Sequence, residues 1–298
     1  MIKTWITVAA VVLAASLAGA QSQAPKPAAA PQPAGQAAAP AQQPQQAAPP
    51  AVKQPTVKSK EEGEALQKLF NDPSLAPDQK LTLAEEFLLR FPKSEFKTLV
   101  LRLEMQVYQQ KNDFPNMLDF GEKVLKEEPE DAITLILLST TIPERTGEND
   151  LDRDVKLGKA ESYAKRALAA IDKLPKMNPQ ASDADWEKVR NDARGQVWSG
   201  LGLVAMVRKQ FTAAEEAFQK ATSLQMRPDP VGYWRLSLAL QGNKKYAEAR
   251  EALKKSVAAG GVKVGGRDLA ADELKRVEDF LSRQSGQTAA PPPQAPKP

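Results

Sequence analysis

Asp150, Asp152, Asp154 and Glu161 come nearest to a chemical motif in this chain. Carboxylates two apart in a loop can converge on one hard cation, and a glutamate at the twelfth place can add a bidentate ligand, as in a calcium loop. Leu157 fills the usual apolar eighth place. Val155, however, stands where that loop needs glycine for its sharp turn, and Glu161 falls inside a helix expected to begin near Leu157. The acids read better as a solvated insertion that caps this helix and favours its positive end, so no metal is assigned.

Other constellations are weaker. Gly261, Gly266, Arg267 and Asp268 mimic a phosphate-binding loop, but Arg267 and Asp268 replace the required Lys and Ser/Thr, and a helix precedes instead of a strand. A glycine-rich break followed by Asp268 capping a final helix to about Arg283 is the expectation there. Glu127, Glu128, Glu130 and Asp131 form a charge run around Pro129, read as a solvated turn. The chain has no cysteine and no histidine, which removes disulfides, thiol nucleophiles, zinc-thiolate sites and imidazole bases. Carboxylates are the only acid/base groups left for an alternative role as a cell-wall enzyme, and they form no visible nucleophile-base arrangement. No catalytic residue, cofactor site or metal site is therefore named.

The elements that hold these residues are helical. Trp198, Leu201 and Ala205 recur at three to four residues and share one helical face, with Gly202 on the same side. Ala214, Phe218 and Ala221 form the facing stripe of a second helix, with Lys209-Gln210 as the turn. The segment from Trp198 to Ala221 thus resembles one tetratricopeptide repeat: Trp198, Leu201 and Gly202 match its W-x₂-L-G core, and Ala214 and Phe218 match its A-x₃-F core. A second copy follows 35 residues later, with Tyr233 and Leu236 for Trp198 and Leu201, and Tyr246, Ala249 and Leu253 for Phe211, Ala214 and Phe218. Gly242-Asn243 is expected to make its turn.

Earlier copies are less regular. One runs from about Thr98 to Asp131, with Leu101, Tyr108, Asn112, Phe114 and Pro129 in place, and Met117 and Gly121 where Ala and Phe are usual. A distorted one begins at Leu135 and Leu138 and ends with Ala160, Ala164 and Ala167, its turn enlarged between Ile142 and about Leu157. A half-matching unit from Lys60 ends at Phe91-Pro92-Lys93-Ser94. The resemblance implies an all-α, right-handed helix-turn-helix (TPR-like) solenoid over 58–284. Its units fall near 60–97, 98–131, 132–175, 195–228 and 230–262, with a capping helix at 268–283. Each unit leaves apolar surface that only a stacked neighbour can bury.

The ends differ in composition. Met1-Ile2-Lys3, an apolar run from Trp5 to Leu17 and Ala18-Gly19-Ala20 make a signal peptide over 1–20, with Gln21 first after cleavage. The apolar run is shorter than the ~20 residues a spanning helix needs. Residues 21–57 are an Ala/Pro/Gln-rich linker and 285–298 a Pro-rich tail, both expected to be disordered because they cannot bury enough apolar area. All 37 acidic residues lie within 59–284, with all but five of the 41 basic ones, so the basic balance comes from the ends. A nucleic-acid groove needs clustered Lys and Arg on a folded face, so nucleic acid is not expected as a partner.

The resemblance implies a scaffold binding an unidentified protein or peptide through a concave face, and the signal segment makes the expectation an exported one, periplasmic or secreted. The alternative is an envelope assembly component held at the inner membrane by an uncleaved signal. In such arrays the first helix of each pair lines the concave face. That geometry implies Arg102, Gln106 and Gln109 from one unit, Ile133, Ile136 and Thr140 from the next, then Gln196, Ser199 and Leu203, then Trp234 and Leu238. Trp234 is the candidate anchor, since Tyr233 fills the packing slot; the competing reading packs Trp234 on the adjoining helix.

Overall fold

The computed structural model describes residues 55–176 and 178–288. The signal segment, the linker up to 54 and the tail from 289 lie outside the described residues. The chain divides into two compact units, Met1–Ser74 and Leu75–Pro298. In the first, α1 (Lys60–Asn71) starts at Ser59, whose hydroxyl accepts from the Glu62 amide. This satisfies one of the amides orphaned at a helix start. Leu66 and Leu69 form its buried face.

The second unit carries the site. Its helices are α2 (Pro77–Arg90), α3 (Lys97–Gln110), α4 (Phe114–Glu127), α5 (Ala132–Glu144), α6 (Arg153–Asp172), α7 (Asp183–Val207), α8 (Phe211–Leu224), α9 (Pro230–Gly242), α10 (Tyr246–Ala258) and α11 (Leu269–Thr288). Packing is between neighbours: α3 with α4, α5 with α6, α7 with α8 and α9 with α10, while α2 covers α3 and α11 covers α10. The hairpins join through α5 on α7, α6 on α7 and α8 on α9. The described residues of this unit therefore form a stack of antiparallel helix pairs, a TPR-like, all-α arrangement.

The core is serial. One buried cluster runs from Met105 on α3 to Val204 on α7. A second joins Ala205 of α7 and Phe218 of α8 to Leu236 and Leu240 of α9 and Ala249 and Ala252 of α10. A third joins Leu253 of α10 to Ala270 and Val277 of α11. Phe218 is fully buried, and a methyl added at Gly202 would come within 2.5 Å of its ring. The signature glycine is thus the surface on which the signature phenylalanine lies.

Three hairpin turns share one backbone device. Asn112, Lys209 and Lys244 have φ of 55°, 59° and 61°. The next residue's amide reaches back five residues in each case: Asp113 to the Tyr108 carbonyl, Gln210 to Ala205 and Lys245 to Leu240, all at 2.9 Å. This is the 6→1 bond of a Schellman ending. Gly242 therefore does not make the last of these turns, contrary to expectation. It ends α9, and a methyl there would overlap the Phe211 ring. In this copy Ser237 and Ser256, standing where glycine and alanine are usual, are fully buried, and each donates to a carbonyl at 2.6 Å (Trp234 and Pro230).

Other differences have local causes. α6 starts at Arg153, not near Leu157, with Asp154 in its first turn, so the insertion shrinks to 145–152. α7 starts at Asp183, well before the repeat-like residues. Ser182 caps it by accepting from the Asp185 amide, Trp186 is buried, and Arg194 pairs with Asp172 of α6 at 2.6 Å. The glycine-rich break contains a minimal antiparallel hairpin, β1 (Lys263–Val264) with β2 (Arg267–Asp268). Gly265 and Gly266 both take positive φ, as a type I′ turn requires. Asp268 then caps α11, accepting from the Ala270 and Ala271 amides.

α5 and α7 meet at backbone distance. Pro143 has no N–H to offer the Ser139 carbonyl, which would otherwise bond four residues on. Gly200 of α7 lies against that carbonyl, so near that an added methyl carbon would sit 2.7 Å from the oxygen. Gly158 of α6, by contrast, is exposed with nothing within 4 Å of an added methyl. Replacement by alanine should therefore act oppositely at the two sites. In thermal unfolding, Gly158→Ala should stabilise by about 0.5–1 kcal/mol through reduced chain entropy. Gly200→Ala should cost about 1–3 kcal/mol through overpacking against backbone. Equal shifts at the two positions would contradict the α5–α7 contact.

Candidate functional site

A cleft of about 530 Å³ opens where the first helices of three hairpins lie side by side. The end of α5 and the turn after it supply Pro143, Glu144 and Thr146; α7 supplies Leu203, Met206 and Val207; α9 supplies Trp234, Arg235 and Leu238, with Phe218 of α8 beneath. Leu203, Met206 and Val207 recur at three and four residues, so one stripe of α7 faces the cleft. Trp234 and Leu238 do the same on α9.

The polar groups are few and almost all engaged. Arg235 donates from Nη2 to Glu144 Oε1 at 2.6 Å and from Nη1 to Ser199 Oγ at 3.2 Å, bridging α9, α5 and α7. The indole Nε1 of Trp234 is buried and has no acceptor. Trp234, like Leu274 and Leu281, also packs against the cluster that joins α10 to α11. Trp234 thus serves as packing on the adjoining helices and as a wall of the cleft at once.

Of the residues implied for the groove, Leu203, Trp234 and Leu238 are brought together here. Ser199 is only 8% exposed and is occupied in holding Arg235. Thr140 spends its hydroxyl on the Ile136 and Leu137 carbonyls and lays its methyl against Gly200. Ile136 packs on the first core cluster, and Ile133 is half-buried. Gln196 donates to Asp192, and Arg102 pairs with Asp131 of the next hairpin. Gln106 is half-buried and Gln109 exposed; neither lines the cleft. Glu144 and Arg235 went unread, since they lie 91 residues apart and carry no local signal. Met206 and Val207 could have been found by extending the stripe from Leu203.

The acidic candidates are bound up in ion pairs. Asp150 and Asp152 both bond Lys156, at 3.0 and 2.9 Å, and Asp154 pairs with Arg153. Glu161 pairs with Lys165 and Arg208. The bond from Lys156 and then the Gly147 amide hold the Asp150 carboxyl below its usual range, and Lys165 and then Arg208 do so for Glu161. The described residues contain no cluster of three or more side chains suited to a metal. The run 127–131 is tied to its neighbours: Lys97 of α3 pairs with Glu127 of α4 within one hairpin, Lys173 after α6 pairs with Glu130, and Asp131 caps α5 through the Thr134 amide. The Lys263 bond pulls Asp268 down to about 2, in keeping with a structural cap.

One carboxyl is different. Glu104 of α3 is 4% exposed, and its Oε2 has no partner. Burial raises it to about 7 against a partial offset from Lys123, with Glu85 adding to the rise. It does not line the cleft, and Glu85 is exposed.

No family model matches this chain, and no curated protein matches it. Solved structures do. The chain is similar to pilF of Pseudomonas aeruginosa, at 17% identity over 76% of this chain and 90% of that one, with a TM-score of 0.46. It is also similar to a thermophilic TPR protein of Thermus thermophilus, at 18% identity over 74% and 99%, with a TM-score of 0.40. For an assembly chaperone of RpL4 the values are 13% over 75% and 84%, and 0.50. For the last of these, at that identity, the likeness is one of fold alone.

The Glu104 carboxyl carries a pH signature. Its folded value of about 7 lies above the ordinary 4.5, so the folded state holds the proton more tightly than the unfolded one. Its penalty is absent below about 4.5, grows as pH rises through about 7, and is constant above that. Glu104→Gln should therefore leave stability unchanged near pH 4.5 and raise it by about 1–3 kcal/mol at pH 8. Urea unfolding at the two pH values measures this; an equal effect at both would contradict a buried, proton-retaining Glu104.

Proposed function

We propose that this chain is an exported scaffold that holds a protein or peptide partner on the face lined by the first helices of its hairpins. The observation that carries the reading is the cleft between α5, α7 and α9, where Leu203, Trp234 and Leu238 converge. Its volume lies within the ~300–1,000 Å³ typical of binding sites, and apolar walls with a few fixed polar groups are what such sites use. A partner side chain seated there would cover Trp234, the residue type richest in binding energy at interfaces. A helical repeat scaffold of this kind generally binds proteins, and stacked hairpins present such a surface without any catalytic group.

Export is supported by the charged start, short apolar run and Ala18-Gly19-Ala20 site. Among the described residues no helix is long and apolar enough to cross a membrane. The proline-rich linker would give the folded region reach from an envelope surface.

Two measurements test this. Crosslinking and recovery from the native envelope should yield a partner with the unmodified chain and about ten-fold less with Trp234→Ala or Leu203→Glu, matching the loss of an interface hot spot. Equal recovery from all three would remove the cleft as the contact. N-terminal sequencing after fractionation should find Gln21 first in the exported fraction; an intact Met1 in the membrane fraction would favour the anchored alternative.

A further inference from the structure

α2 lies antiparallel on α3, and their contact can be read in register. Lys111, just past the end of α3, pairs with Asp78 in the first turn of α2. Seven residues on from Asp78 and seven back from Lys111, two helical turns in each case, stand Glu85 and Glu104. Attraction at one end of the contact is therefore matched by two carboxyls at the other. Val100, Glu104, Val107 and Lys111 recur at four and three residues, so they share the face of α3 that Lys111 turns toward α2. Val100 and Val107 are buried along with Glu104.

Glu104 has little to compensate a charge. Its Oε2 has no partner. The charged groups facing it are Lys123 of α4, which attracts, and Glu85 of α2, which repels. Lys123 is engaged elsewhere: its ammonium pairs with Asp119 at 2.8 Å and lies 3.9 Å from the centre of the Phe120 ring. On α3 itself Tyr108 follows one turn on, its ring stacked on Phe120 at 5.2 Å, with Lys111 and Asp113 acting on its hydroxyl. A carboxyl so placed is tolerated as the neutral acid and penalised as the anion. Lifting α2 away would let water reach Glu104 and would part it from Glu85. α2 is the first helix of its unit and packs there on α3, so it can lift without separating the hairpins that follow.

We propose that Glu104 is a proton-operated latch on the first helix of the stack: protonated, it lets α2 lie on α3; ionised, it favours an opened α2 that bares the Val100–Val107 face. The Asp78–Lys111 pair at the other end is largely exposed and adds little to hold α2 down. This end of the array is thus covered in acid and uncovered above neutrality. With no histidine and no cysteine in the chain, no other side chain has its ordinary titration between pH 5 and 8.

Hydrogen exchange of the full chain at pH 5 and pH 8, each amide scaled by its intrinsic rate, reads the opening of each helix separately. A carboxyl at 4.5 in the open state and about 7 in the closed one lets α2 opening rise by up to roughly seventy-fold between the two pH values. The expected result is a rise of about ten-fold or more in α2 and none in α8–α10. Glu104→Gln keeps the shape and cannot ionise, so it should hold α2 closed at both pH values. Glu85→Gln alters only an exposed side chain and should make the rise smaller. An α2 opening that ignores pH overturns the proposal, as does a rise that persists in Glu104→Gln. An equal rise in α8–α10 also overturns it, because the whole unit would then be loosening and not its first helix. A rise undiminished in Glu85→Gln would contradict the register that sets the two carboxyls against each other.

Discussion

The structure depends on how closely one helix can lie on the next. Gly202 gives Phe218 a flat place to rest, and Gly200 lets α7 touch the α5 backbone at the carbonyl that Pro143 leaves without a donor. Those two contacts sit on opposite aspects of α7: one closes its own hairpin, the other joins it to the hairpin before. With a side chain at either place the helices would stand further apart, and the apolar stripes would reach water. The serial clusters follow from this, since each apolar flank is covered by a neighbour and no single centre holds the whole unit.

The same closeness makes the cleft. α5, α7 and α9 lie side by side on one face, and where α5 ends at Pro143–Glu144 the stack leaves a gap walled by α7 and α9. Arg235 spans this gap to Glu144. The bridge is partly exposed, so its contribution is small in free energy; its effect is geometric, fixing the spacing of three helices around an apolar floor. Trp234 sits at the join between this gap and the α10–α11 cluster.

Much of the fold was legible because packing imposes periodicity. Leu236 and Leu253 could be placed from Leu201 and Phe218, and the turn residues Lys209 and Lys244 keep the same 35-residue offset. Lys209 was placed at its turn, whereas Lys244 was not, because lysine is a poor marker of a left-handed residue and Gly242 drew attention two positions too early. The extension of α7 back to Asp183 was missed because Trp186 packs on a part of the helix that belongs to no repeat pattern. The cleft was legible only by halves. A rule about one face of each first helix reached Leu203, Trp234 and Leu238, whereas Glu144 and Arg235 meet through tertiary structure alone, and Arg102 and Ser199 are diverted into pairs that hold the helices together.

The central claim is that neighbouring hairpins, and not one shared centre, hold the second unit together. Deuterium exchange along the full chain carrying Phe218→Ala tests it most directly, since that truncation removes a fully buried ring at a cost of about 3–5 kcal/mol. The account predicts protection lost first in α7–α10, whose helices share the Phe218 cluster, while α3 and α4 keep theirs. Uniform loss from α2 to α11 in a single step would contradict it.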